Sequence, residues 1–188
     1  MRVRLISVAL AIVLASAPVA AQRGSFLSME EMRQRAFGGH ADSLEWQTLW
    51  VSQAQRETIE QLLGHSFHSL RIRYLGEGQR TLWKFEEIGK EQLITTGVVV
   101  EAGRIAAIEV MEYRESRGGE VRYPFFTDQF QGLGLAPEPA PALDGNIDGI
   151  TGATLSVRAM TKIATLALFC HQLTPFANRE TPSQTTAR

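Results

Sequence analysis

Two β-rich runs separated by only two residues constrain this chain more than any other feature of its sequence. Residues 93–101 and 104–113 flank Ala102-Gly103, and such a short, glycine-containing connection is typical of a tight antiparallel hairpin. The run of three valines at residues 98–100 lacks the alternation of a half-exposed strand. It therefore predicts a strand covered on both faces.

Two further strand patterns precede this hairpin. Residues 70–74 alternate apolar side chains with arginines, and residues 81–87 place Trp83 and Phe85 on one face. Residues 76–78, Gly-Glu-Gly, supply a turn between them. The middle of the chain therefore predicts an antiparallel sheet of about four or more strands.

Helical patterns lie on either side of the sheet. One is predicted over 53–63, with Ser52 and Gln55 forming a capping box and Gly64 ending it. The other is predicted over 156–173. Helices at both ends of an antiparallel sheet define an α+β fold, with N-terminal and C-terminal helices flanking the sheet. The first helix is predicted to face the core through Ala54, Ile59, Leu62 and Leu63.

The N-terminus has the pattern of an export signal. Arg2 and Arg4 precede a short apolar run, and Val19-Ala20-Ala21 offers small residues for cleavage before Gln22. We expect residues 1–21 to be a cleavable signal peptide of a periplasmic protein, the alternative being an uncleaved N-terminal anchor. The remainder divides into an N-terminal helical arm at 22–50, one domain at 51–173 and a polar, disordered tail at 174–188.

Composition excludes several functional classes. The net charge is −1 and becomes −3 when the two arginines of segment 1–21 are removed, which argues against nucleic-acid binding. The single cysteine, Cys170, leaves no intramolecular disulfide and is expected to be a buried thiol. His65 and His68 have no obvious third ligand, so no metal site is predicted. The acidic residues Glu86, Glu87, Glu112 and Glu115 are expected to form a solvated strand edge and loop.

Residues 148–156 carry the chemistry. Thr151, Thr154 and Ser156 bring three hydroxyls to the predicted helix start, and Gly152 permits close approach of a ligand. The free N–H groups of a helix N-terminus suit a phosphate. The ordinary alternative is an N-cap beside an Asp-Gly turn, and the residue types alone favour this alternative.

This segment, Asp-x-x-Thr-Gly-Ala-Thr-x-Ser, resembles the flavinylation motif of the FMN-binding domain family. That family includes the RnfG and NqrC subunits of ion-pumping redox complexes and small stand-alone periplasmic members. Residues 87–100 resemble a strand region of the stand-alone members, and residues 112–118 resemble the family's glycine-containing loop near the flavin. The resemblance covers about residues 62–168, so that 51–173 is expected to be an FMN-binding domain.

The resemblance implies a covalent cofactor. A flavin transferase of the ApbE type would attach FMN through a phosphoester to Ser156, with serine in place of the threonine usual in RnfG and NqrC. Asp148 would be read by the transferase or orient the acceptor. The loop also departs from the Thr-Pro-Gly-Leu-Gly form of those subunits. The remaining candidate cofactor contacts are Thr151, Gly152, Ala153 and Thr154 in the phosphate turn and Ser116, Arg117 and Gly118 in the loop.

These expectations point to an exported electron-transfer flavoprotein with no catalytic residues of its own, and with a membrane redox protein as electron donor or acceptor. Two alternatives stay open. One is a flavin-dependent reductase of a small acceptor; the other is a flavin-free binding or assembly module in which Ser156 only caps the helix. Trp83, Tyr113 and Tyr123 are candidates for stacking on the flavin ring, although each is more commonly a core residue.

Overall fold

The computed structural model describes residues 24–137 and 140–177. The expected signal peptide at 1–21 and the greater part of the expected tail lie outside these residues. Within them, no helix is long and apolar enough to cross a membrane.

Six antiparallel strands form one sheet in the order β1-β6-β5-β4-β3-β2. The predicted α+β fold is confirmed, and the sheet has two more strands than the four patterns found in the sequence. The strands are β1 (Gly24–Ser25), β2 (Gln47–Trp50), β3 (Arg71–Glu77), β4 (Arg80–Ile88), β5 (Leu93–Glu101) and β6 (Arg104–Tyr113).

The hairpin between β5 and β6 is confirmed. Ala102 and Gly103 both have positive φ, at 50° and 75°, as a two-residue turn that follows the twist of its strands requires. Glu101 pairs with Arg104, and the ladder continues to Ile94 opposite Tyr113. This pairing brings the end of β6, and the loop that follows it, beside the loop between β4 and β5.

The described residues form four α-helices: α1 (Met29–Phe37), α2 (Gln53–Leu63), α3 (Pro124–Thr127) and α4 (Thr154–Gln172). Helix α2 has the predicted bounds, the capping box of Ser52 and Gln55, and Gly64 in the left-handed conformation at its C-terminus. Ile59 and Leu63 are buried as predicted, but Ala54 is exposed, because only the C-terminal part of this short helix packs against the core.

Apolar side chains pack on both faces of the sheet. Val98 and Val100 belong to the larger core with α2 and α4, whereas Val99 points to a smaller core with α1. The prediction that the valine run is covered on both sides is therefore confirmed. Met32 of α1 lies directly against Gly97, where an added β-carbon would come within 2.9 Å of the Met32 Cγ.

The N-terminal segment contains more sheet than the helical arm expected at 22–50. Among residues 24–50, only 29–37 are α-helical, and the two flanking strands pair with the sheet, β1 with β6 and β2 with β3. Strands of two and four residues are too short to show a periodic pattern, and their partners in the chain are distant. Tertiary pairing alone defines them.

The expected disordered tail begins with packed residues. Residues 174–177 form a turn after α4, and Phe176 is only 3% exposed. Its ring lies on Gly76 of β3, where a β-carbon would come within 2.5 Å of the Phe176 Cε2. It also makes an edge contact with Tyr74 at a centroid distance of 6.1 Å.

Candidate functional site

A cavity of about 530 Å³ opens where three parts of the chain meet: the N-terminus of α4, the loop after β6 and the loop between β4 and β5. All three converge because β4, β5 and β6 are neighbours and α4 packs across them. The cavity is of the size that proteins use for small ligands. It is lined by Lys90, Glu115, Ser116, Arg117, Gly152, Ala153, Thr154, Leu155 and Ser156.

Helix α4 begins two residues earlier than predicted. Its N-cap is Ala153, which provides no side-chain hydrogen bond, and Thr154 is the first helical residue. Ser156 therefore lies inside the first turn and is not the cap, which removes the simple helix-cap role considered for it. The first backbone N–H groups of α4 have no side-chain cap, so they are available to an anion in the cavity.

The Ser156 hydroxyl is held by Tyr113. Ser156 is 5% exposed, and its Oγ lies 2.9 Å from the hydroxyl oxygen of Tyr113, at the end of β6. The same tyrosine hydroxyl donates a hydrogen bond to the backbone carbonyl of Arg117. Burial raises the pKa of Tyr113, so the phenol stays protonated at neutral pH.

Gly118 brings the loop after β6 into contact with both hydroxyls. Its φ is +80°, which favours glycine. An added β-carbon would lie 2.9 Å from the Ser156 Oγ, 3.0 Å from the Tyr113 hydroxyl and 3.2 Å from the Ala153 β-carbon. The absence of a side chain at Gly118 is therefore a condition for the observed packing.

Glu115 joins this loop to the loop between β4 and β5. One of its carboxylate oxygens accepts the backbone N–H groups of Lys90, Glu91 and Gln92, the latter two at 2.7 and 3.0 Å. Burial acts to raise the pKa of Glu115, but the three N–H donors together hold it below its usual value. Glu115 is 4% exposed, so the expectation of a solvated acidic loop is wrong at this position.

Two cations border the cavity. Lys90 is exposed and forms an ion pair with Glu91 at 3.2 Å. Arg117 is also exposed, and its guanidinium has no ion-pair partner among residues 24–137 and 140–177. Together with the uncapped start of α4, they make the cavity suitable for an anionic group.

Glu87 supports α4 from the neighbouring strand. Its carboxylate lies 3.0 Å from Lys162 Nζ of α4 and 2.9 Å from His65 Nε2. Glu87 is 4% exposed, so it is also not part of a solvated edge as expected. No cluster of three potential metal ligands occurs in the part of the chain that the structure describes.

Most of the site residues expected from the sequence lie at this cavity. Ser116, Arg117, Gly152, Ala153, Thr154 and Ser156 line it, and Gly118 packs against Ser156. Asp148 and Thr151 are exposed and lie outside the lining; the Asp148 backbone N–H donates to Gln129 Oε1 at 2.7 Å. Sequence reasoning missed the roles of Lys90, Tyr113 and Glu115, because each depends on a contact between distant segments.

The aromatic candidates differ in their surroundings. Trp83 is fully buried and stacks with Tyr74 and Phe85 at centroid distances of 4.7 and 5.9 Å, so its ring is not accessible to a cofactor. The ring of Tyr113 is likewise buried, and it contributes its hydroxyl to the site. Tyr123 is 38% exposed and lies beside the guanidinium of Arg122. Trp83 is therefore a core residue.

The fold is a small α+β domain with a cavity at the N-terminus of its last helix. Residues 89–168 match the family model of the FMN-binding domain. The matched segment includes every residue that lines the cavity. No curated protein matches the chain.

Proposed function

We propose that this protein is an extracytoplasmic electron carrier that holds FMN covalently through a phosphoester on Ser156. The observation that carries the proposal is the position of the Ser156 hydroxyl. It lies in the first turn of α4, uninvolved in capping, at a cavity bordered by Lys90 and Arg117. A hydroxyl acceptor and an anion-binding helix start at one place are what a phosphoester requires.

The residues present fit the phosphate end of FMN. Gly152, with a φ of +83° and no atom within 4 Å of an added β-carbon, leaves space before the helix. The free N–H groups of the first turn supply hydrogen bonds, and the two cations supply charge. When bound, the isoalloxazine ring accepts or releases one or two electrons, while the chain positions it and sets its electrostatic surroundings.

The two motif residues outside the cavity fit the attachment step. Asp148 and Thr151 are exposed, so an enzyme that approaches the motif can contact them. We propose that an ApbE-type flavin transferase reads these residues and uses a flavin dinucleotide as donor. A membrane redox protein is the proposed electron donor or acceptor.

Covalent attachment suits the proposed compartment. A dissociated flavin is not easily replaced outside the cytoplasm, and a phosphoester prevents its loss. The expected cleavable signal at residues 1–21 is the basis for the proposed periplasmic location. Sequencing the N-terminus of the exported protein tests this point: a start at Gln22 supports export by cleavage, and a start at Met1 supports an anchor instead.

The deciding experiment is the intact mass of the exported chain after co-expression with a flavin transferase. We expect the native protein to gain the mass of one FMN less one water. Ser156→Ala should show no gain. Thr161→Ala is the matched control, because Thr161 carries a hydroxyl on the same helix that donates to the Val157 carbonyl outside the cavity lining, and it should load normally.

Two outcomes would contradict the proposal. If Ser156→Ala gains FMN, the flavin is attached to another hydroxyl. If the native chain gains no FMN, the protein is not a covalent flavin carrier. The electron-carrier role is tested separately, by mixing the reduced, loaded protein with small acceptors and with redox proteins. Saturable turnover of a small acceptor would favour a reductase over a carrier.

A further inference from the structure

The hydrogen atoms at Ser156 can be assigned from its neighbours. The Tyr113 hydroxyl has one hydrogen, and it donates that hydrogen to the carbonyl of Arg117, which can only accept. The contact of 2.9 Å between the hydroxyls of Tyr113 and Ser156 therefore has Ser156 as its donor. The serine proton points to Tyr113, and the Oγ lone pairs point elsewhere.

We propose that Tyr113 is a positioning residue for flavin attachment, and that its hydrogen bond to Arg117 reports whether Ser156 is loaded. This inference rests on the proposed function, since it concerns the same hydroxyl. In the unloaded chain, the Tyr113 hydroxyl accepts a hydrogen bond from the Ser156 hydroxyl and so orients the Oγ. In the loaded chain, Tyr113 donates to the ester oxygen and releases the Arg117 carbonyl.

The attachment step removes the hydrogen that joins the two hydroxyls. The Ser156 Oγ forms a bond to the flavin-side phosphorus of a flavin dinucleotide, the bond from that phosphorus to the bridging oxygen breaks, and AMP leaves. The serine proton leaves with the products, and nothing is oxidised or reduced. The ester oxygen then has no hydrogen. It would lie 2.9 Å from the Tyr113 oxygen with no hydrogen between them, unless the Tyr113 hydroxyl turns its hydrogen from the Arg117 carbonyl to the ester oxygen.

The loop after β6 is placed to respond. Gly118 follows Arg117 directly and packs against the hydroxyls of Tyr113 and Ser156 with no side chain between them. Glu115, two residues before Arg117, binds the backbone of residues 90–92. Loss of the hydrogen bond from Tyr113 to the Arg117 carbonyl therefore affects the short segment 115–118. Glu115 binds one end of this segment to residues 90–92, and Gly118 at the other end contacts Ser156.

The variant Tyr113→Phe tests the positioning role. With purified transferase and flavin dinucleotide, we expect it to load roughly five- to tenfold more slowly than the native chain, corresponding to the loss of one orienting hydrogen bond. Tyr74→Phe is the matched control, because Tyr74 is also a buried tyrosine with a hydrogen-bonded hydroxyl, 3.1 Å from Gln47 Oε1. It should load at the native rate. Native loading kinetics in Tyr113→Phe would overturn the positioning role.

The ¹³C chemical shift of the Arg117 carbonyl tests the reporter role. Loading should move this shift in the native chain, and unloaded Tyr113→Phe should already show the displaced value. In Tyr113→Phe, the change of the Arg117 shift on loading measures the direct effect of the flavin ring. Subtracting this change from the change in the native chain gives the part due to the hydrogen bond. If the Arg117 shift changes by the same amount on loading in the native chain and in Tyr113→Phe, the proposed switch is overturned.

The failure of the proposed function gives a different result. If the native chain takes no flavin, no covalent carrier exists and the attachment role of Tyr113 fails with it. The hydrogen-bond assignment is still tested by the unloaded proteins alone. An Arg117 carbonyl shift unchanged between the native chain and Tyr113→Phe would show that the assigned bond is absent.

Discussion

Gly118 lies so close to Ser156 that a β-carbon added to the glycine would come within 2.9 Å of the serine Oγ. The two residues belong to different segments, the loop after β6 and the first turn of α4. Their contact leaves little room for rearrangement, because the Tyr113 hydroxyl lies 3.0 Å from the same added atom. The attachment point is therefore sensitive to any side chain at position 118.

We expect Gly118→Ala to abolish or strongly slow flavin loading. It should also destabilise the protein by about 1–2 kcal/mol through the positive φ. Gly132→Ala separates the two effects, because Gly132 has a similar φ of +77° and no atom within 4 Å of an added β-carbon. Urea unfolding and intact mass should show that both variants lose stability and that only Gly118→Ala loses loading. Equal loading of the two variants would contradict the contact argument.

Glu115→Gln should lower the free energy of unfolding by about 1–3 kcal/mol at neutral pH, because the carboxylate accepts three backbone N–H groups. Glu112→Gln is the control: its carboxylate pairs with Arg114 at the surface, so about 1 kcal/mol or less is expected. Urea unfolding measures both variants.

The effect of Glu115 also depends on pH. Its folded-state pKa lies below the usual 4.5, so its contribution is present above 4.5 and is lost as pH falls towards the folded value. The stability difference between the native protein and Glu115→Gln should therefore narrow in acid. A difference that widens below 4.5 would contradict the assignment of the carboxylate as a charged acceptor.

His171 should make the protein less stable in mild acid. It is fully buried, and burial lowers its pKa from 6.5 to about 4. Because the unfolded chain binds the proton first, the stability that this residue contributes is complete above 6.5 and falls as pH drops towards about 4. Unfolding of His171→Asn over this range should show a weaker acid dependence than the native protein.

The pKa of His65 is shifted in the opposite direction to that of His171, so His65 serves as the comparison. Its hydrogen bond to Glu87 raises its pKa above 6.5. Its contribution is therefore present below 6.5 and is lost as pH rises through the raised value. His65→Gln should flatten the alkaline side of the stability profile, and an unchanged slope on that side would contradict the assignment.

Phe176→Ala should destabilise the protein by about 3 kcal/mol, because the ring is 3% exposed and fills the space above Gly76 and beside Tyr74. Phe125→Ala is the control, since Phe125 is 62% exposed and should change stability by about 0.5 kcal/mol or less. Thermal or urea unfolding distinguishes them. Equal effects would show that residues 174–177 do not contribute to the core in solution.

Features set by neighbouring residues could be predicted from the sequence. The capping box of Ser52 and Gln55, the turn at Ala102-Gly103 and the covered valine strand all follow from local hydrogen bonding, backbone preference or periodicity. The motif at 148–156 also indicated the family whose model matches residues 89–168, because its residue types and spacing lie within one short segment. The predicted start of α4 was two residues too late, because the N-cap, Ala153, carries no capping side chain that would mark the start in the sequence.

Only the tertiary structure decided which distant residues meet. Tyr113 and Ser156 are 43 residues apart, and Glu87 and Lys162 are 75 apart, so no local pattern relates them. Glu87 and Glu115 have the composition of a solvated surface, yet both are buried where cationic side chains or backbone N–H groups compensate their charge. The sequence determined the local elements and the attachment motif. Packing of α4 across the sheet determined the surroundings of Ser156, because burial and hydrogen-bond partners depend on the whole fold.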